Sequence, residues 1–132
     1  MLDSVLRVYA EDFDVDLFLN QYSDLVVADA FRKGEQDMLG NPNAFSGFDV
    51  IVAENETKEN CLQKVQQFLE VHELPLTFLK ANAVQCVLDI DATVKATDEM
   101  PTSLSLSPQL LGDLQHFNIA IEFSAYPEMA GI

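Results

Sequence analysis

Asp89 and Asp91 stand two residues apart in "VQCVLDIDATVK", whose alternation puts them on one face of a β-strand. Carboxylates paired this way could hold a divalent ion, or separate their pKa values for acid–base work. The plainer account is two polar residues on a solvated sheet face. A second acidic group, "EDFDVD" (Glu11, Asp12, Asp14, Asp16), has the spacing that opens a calcium loop. A loop of that type needs Gly at its sixth position and Glu at its twelfth. Counted from Asp12 these are Leu17 and Ser23, so the acids suit a helix N-terminus instead, where the macrodipole favours negative charge.

The histidines, His72 and His116, each fall late in a predicted helix, where a partly cationic imidazole suits the C-terminal dipole. Cys61 and His72 lie roughly 16 Å apart along one helix and cannot form a dyad. Cys61 and Cys86 fall on core-facing stripes and behave as small apolar residues; neither belongs to a CxxC pair. "FRKGE" is the one place where two bases adjoin. Arg32 and Lys33, followed by Gly34 and Glu35, could receive an anion or a partner's carboxylate, and Gly34 permits a positive φ in that turn. The same residues also read as a charged strand end entering a loop. Glycine-rich phosphate loops, HExxH and GxSxG are absent. No catalytic residue, metal or cofactor is therefore assigned.

Overall charge narrows the partners. Acids number 22 against 7 bases, a formal net charge of −15. Such a chain repels phosphate, which disfavours nucleic acid and anionic membranes, and it attracts basic proteins. High charge also serves solubility alone. The opening "MLDSVLRVYAEDFD" places acids where a secretion signal needs bases, and no stretch reaches the ~20 apolar residues of a membrane span. The expectation is a cytoplasmic protein with reduced thiols.

These residues must be positioned by a fold that the periodicity sketches. Val5 to Glu11 reads as a strand, and Asp14 caps a helix carrying Val15, Phe18, Leu19 and Tyr22. "DLVVADAF" reads as a second strand, Arg32 to Gly47 as a surface loop, and "FDVIVAE" as a third strand. A long helix capped by Thr57 follows, with Pro75 ending or kinking it and Leu76 to Lys80 as a short further turn. Val84 to Lys95 is a clear strand, and Ala96 to Ser103 a polar connection. Leu104 to Leu106 is expected as a short strand. Ser107 caps a helix beginning at Pro108 with Leu110, Leu111, Leu114 and Phe117 as its buried stripe, and Asn118 ends it. A last strand, Ile119 to Tyr126, buries Ile119, Ile121 and Phe123. The order β-α-β-β-α-β predicts a ferredoxin-like core, extended by a C-terminal β-α-β. The expected whole is one α+β domain over 1–132, with a mainly antiparallel sheet and helices chiefly on one face.

The strand entering an acidic turn, "RKGE" after the second strand, "SGF" opening the third and "LSLSPQLLGDL" near the end together resemble a bacterial domain-of-unknown-function family. Its members carry a K-G-E turn, an S-G-W strand start and a closing L-S-L-S-P-E-L-L helix. The resemblance spans nearly the whole chain and is most specific over Leu104 to Leu111. The chain departs at Ala10-Glu11-Asp12, where the family has Gly-Asp, at Val15, where it has Pro, and at Phe48, where it has Trp. A hydrogen bond donated by that indole has no counterpart here. The resemblance implies no assigned enzymatic activity, and some members look like immunity proteins beside secreted toxins.

The residues and the resemblance together point to a non-catalytic interaction protein, with a basic toxin domain as the partner the resemblance suggests. The outward sheet face mixes Val5, Tyr9, Val87 and Tyr126 with acids, the pattern of a binding patch. Two rivals stay open. One is an anion- or small-molecule-binding or enzymatic domain using Arg32, Lys33 and the loop to Ser46. The other is a homodimer or larger homo-oligomer that buries the sheet face against its own copy.

Overall fold

A computed structural model describes residues 1–94 and 103–128. Its elements run β1 (Leu2–Ala10), α1 (Val15–Gln21), β2 (Asp29–Phe31), β3 (Ser46–Glu56), α2 (Lys58–Val71), α3 (Glu73–Ala81), β4 (Gln85–Val94), α4 (Pro108–His116) and β5 (Ile119–Pro127). The sheet order is β2-β3-β1-β4-β5. β1 to β4 pair with one another antiparallel, which is the ferredoxin-like arrangement expected from the element order. β5 is parallel to β4, so the chain crosses over through α4 to reach it.

Local chemistry starts α1, α2 and α4 where the sequence signals it. Asp14, Thr57 and Ser107 accept hydrogen bonds from the backbone N–H groups of Leu17, Asn60 and Leu110. Asn118 closes α4 at φ 57°, a left-handed conformation that asparagine tolerates. One face of the sheet carries Leu6, Val8, Phe48, Val50, Cys86, Leu88 and Ile90, all buried beneath the helices with Val65, Leu69, Leu79 and Leu114. Phe18 stacks on Phe48 at 5.4 Å and packs against Phe78 at 5.6 Å, joining α1, β3 and α3.

Several expectations are corrected. The second strand is confined to Asp29–Phe31, because the residues before it serve the core instead: Leu25 is buried while Val26 is 82% exposed. The long helix breaks at His72, which both closes α2 and opens α3. Pro75 then lies in the first turn of α3, where its missing N–H has no helical partner to lose, so the short turn becomes a nine-residue helix. Leu104 to Leu106 is not a strand: β5 already occupies the edge beside β4, and the two leucines pack on the core from an unpaired segment. Leu111 is half-exposed, outside the stripe formed by Leu110, Leu114 and Phe117. Phe123 is 54% exposed, although it shares a face with Ile119 and Ile121. The helix before it explains this. Nine residues of α4 span ~13 Å, whereas nine residues of β5 span ~30 Å, so the far half of the strand extends beyond its helix. Of the expected polar connection, 96–102 lies outside the described residues.

Candidate functional site: the open face of the sheet

The four helices of the described residues pack on one side, and alternation leaves Asp3, Val5, Arg7 and Tyr9 of β1 on the other. Pairing brings acids to them from both directions. Arg7 lies opposite Asp49 on β3 and Val87 on β4; Val5 lies between Ile51 and Asp89; Asp3 faces Asp91. Asp29 pairs with Asp49 on the outer side, and Glu122 with Asp89. Among the described residues Arg7 is the only base in the five strands. It donates from Nη2 to Asp89 Oδ2 at 3.0 Å. This pairing makes the position of Asp89 tenable, since its side chain is only 9% exposed against 51% for Arg7.

The carboxylates around Arg7 are not alike. Burial holds the Asp49 carboxyl above its ordinary value, with the Arg7 charge opposing and the Asp29 charge adding to the rise. Asp91 is also raised, first by burial, then by the neighbouring Asp89 carboxyl, with Arg7 opposing and Asp3 adding. Apolar side chains are interleaved: Val5 and Val87 are half-buried and Ile51 is 49% exposed. The arrangement is an acidic field over a partly apolar floor.

One end of this face is aromatic. Tyr9 meets Phe45 edge-on, ring centroids 5.3 Å apart. Phe31 lies across from Gly47, and a Cβ on that glycine would fall 1.9 Å from the Val8 carbonyl oxygen and 2.9 Å from Phe31 Cζ. Only glycine permits this close approach. Tyr126 occupies the same face, 56% exposed, but at the opposite end: it pairs with Thr93, whereas Tyr9 pairs with Gln85. Eight strand residues put those rows ~26 Å apart. The structure thus brings Tyr9, Asp89 and Asp91 onto one surface and sets Tyr126 at its far margin.

The "FRKGE" turn is elsewhere and its bases are engaged. Arg32 grips Asp16 through Nε and Nη2 at 2.8 and 2.5 Å, and its Nη1 lies 3.6 Å from Glu35. That hydrogen bond lowers the Asp16 carboxyl and raises the Arg32 guanidinium. Lys33 Nζ is 3.7 Å from Glu11. Gly34 has φ 89°, as the turn requires. The Lys33 N–H donates to Ser46 Oγ, while Gly34 N–H and Asn43 N–H tie the two arms of the loop together. Three strand spacings, ~14 Å, separate β2 from β4, so the turn and the Asp89–Asp91 pair are distinct places.

His72 packs on Phe68 with centroids 4.6 Å apart, and burial lowers its pKa despite the opposing charge of Asp24, contrary to the cationic role expected at a helix end. Cys61 and Cys86 are buried free thiols; burial pushes Cys86 up to about 12. Among the described residues no three His, Cys, Asp or Glu side chains gather as metal ligands, and no helix is long and apolar enough to cross a membrane. Sequence reading missed Asp3, Arg7, Asp29, Asp49, Glu122, Phe31 and Phe45 as members of the face. Alternation within β1 already aligned Asp3, Arg7 and Tyr9, but which acids lie beside them depends on strand pairing. In comparisons with known proteins, no protein-family model matches the chain, and neither does any curated protein or solved structure.

Proposed function

We propose that the chain is a non-catalytic interaction protein whose open sheet face docks a basic protein, with a toxin domain as the partner class that the sequence resemblance suggests. The observation that carries this reading is the composition of the face. Asp3, Asp29, Asp49, Asp91 and Glu122 surround Arg7, the sole strand base, which is already engaged by Asp89. Complementary charge speeds encounter and selects partners, while Val5, Ile51 and the Tyr9–Phe45 pair supply apolar area for a dehydrated centre.

The test is to look beside this chain's gene for one that encodes a basic toxin domain, and to titrate that domain in inactive form by calorimetry. Binding is expected to weaken steeply as salt rises, because the Debye length shrinks to ~10 Å at 0.1 M salt. It is also expected to be lost in a D29N/D49N/E122Q variant. Absence of binding at low salt overturns the pairing. The anion-binding rival is disfavoured because Arg32 and Lys33 already face Asp16, Glu35 and Glu11. Self-association through this face is disfavoured because it would bring like charges together.

A further inference from the structure

Asp89 and Asp91 leave an unexplained pair of atoms. Each has its Oδ1 closed off from solvent, and neither oxygen meets a hydrogen-bond donor. The other oxygen of Asp89, Oδ2, accepts from Arg7 at 3.0 Å. Two ionised carboxylates with buried, unmatched oxygens on one strand face would repel each other, and both would forgo the hydrogen bonds that water supplied before folding.

Both oxygens need a partner, and the surroundings narrow what it is. A divalent ion calls for about six oxygen ligands, yet no third His, Cys, Asp or Glu gathers here among the described residues. Asp3 is opposite Asp91, but its Oδ1 already accepts the Asn55 N–H at 2.7 Å. A partner's ammonium or guanidinium cannot reach oxygens that have no solvent contact. A proton fits, because protonating one carboxyl turns an acceptor into a donor and satisfies both oxygens at once.

We infer that Asp89 and Asp91 share one proton between their Oδ1 atoms, with Asp91 as the carboxylic acid that donates and Asp89 as the carboxylate that accepts. Arg7 fixes this polarity, since its guanidinium already donates to Asp89 Oδ2 at 3.0 Å and so favours Asp89 as the acceptor. Among the described residues the charged groups facing the pair are Asp3 and Arg7 from β1 and Glu122 from β5, with Asp49 of β3 beyond Arg7. Apart from Arg7 all are acids, and all oppose a second negative charge at Asp91. The direction of the Asp91 pKa agrees. When the proton leaves, the open face gains one negative charge and loses the hydrogen bond across the pair. The charge offered to a basic partner is therefore set by pH at this point, a consequence that rests on the docking reading, whereas the proton sharing does not.

The sign for stability follows. A carboxyl raised in the folded state contributes stability that is complete below its unfolded value of ~3.9 and is lost as pH rises through the folded value. Asp91→Asn replaces the acid by a permanent donor to Asp89 Oδ1. Its Tm should match wild type in acid and exceed it increasingly toward neutral pH. The direct measurement is a pH titration of aspartate carboxyl carbons by NMR on the wild-type chain. Asp91 is expected to titrate above ~3.9, with the Asp89 carbon responding to the same step. An Asp91 midpoint at or below that value overturns the inference. So does a shift of both carboxyl resonances on adding millimolar Mg²⁺ or Ca²⁺ at neutral pH, which would place a cation in the gap. Neither readout needs the partner, so failure of docking and failure of proton sharing are distinguishable.

Discussion

Arg7 and Asp89 meet across β1 and β4 at 3.0 Å, and this contact fixes the electrostatics of the open face. The carboxylate is nearly buried and the guanidinium is half-exposed, so the acid depends on the base more than the reverse. Arg7→Met should destabilise the fold by about 1–3 kcal/mol, the usual cost of leaving a buried acceptor without its donor. Pairing it with Asp89→Asn should recover part of that loss. Urea unfolding of both single variants and the double variant gives the coupling. Additive effects would show that the contact contributes nothing of its own.

Gly47 sets how closely β3 approaches β1 at the aromatic end. A methyl group there would meet backbone, the Val8 carbonyl oxygen at 1.9 Å and Tyr9 Cα at 2.9 Å, and backbone cannot rotate away as a side chain would. Gly47→Ala should cost about 3 kcal/mol, as overpacking does. It should also separate Tyr9 from Phe45, which an aromatic near-UV circular dichroism spectrum would report. An unchanged spectrum and an unchanged midpoint would contradict this account.

Both thiols are sealed in the core. Burial raises Cys86 to about 12, and raises Cys61 with help from the Asp3 and Glu56 charges against the opposing Lys64. Since the thiolate is the reactive form, neither should be alkylated by iodoacetamide at neutral pH in the folded chain, and both should react once urea unfolds it. Mass spectrometry of timed samples checks this. Rapid labelling of the native protein would mean that the sheet opens locally.

Much of the fold was legible because its signals are local. Capping by Asp14, Thr57 and Ser107 depends on residues within one helical turn, and the alternation of β4 depends on a single strand. The errors fell where distant elements compete. Leu104 to Leu106 has strand-like residues but no free edge to join, and the run before Asp29 was drawn into the core by Leu25. Phe123 has the right parity for burial, but its covering helix is too short to reach it.

The sequence by itself determined the helix starts at Asp14, Thr57 and Ser107, the excess of acid and the alternation that puts Asp89 beside Asp91 and Arg7 beside Tyr9. Those properties reside in single segments and survive any rearrangement of the others. Only the tertiary structure decided that Arg7 would face Asp89 and Asp49, that Arg32 would be held by Asp16, and that two carboxyl oxygens would be enclosed without a donor. Strand register is the physical reason. Partners in a sheet are chosen by long-range pairing, and a slip of one residue would turn every one of these side chains to the other face.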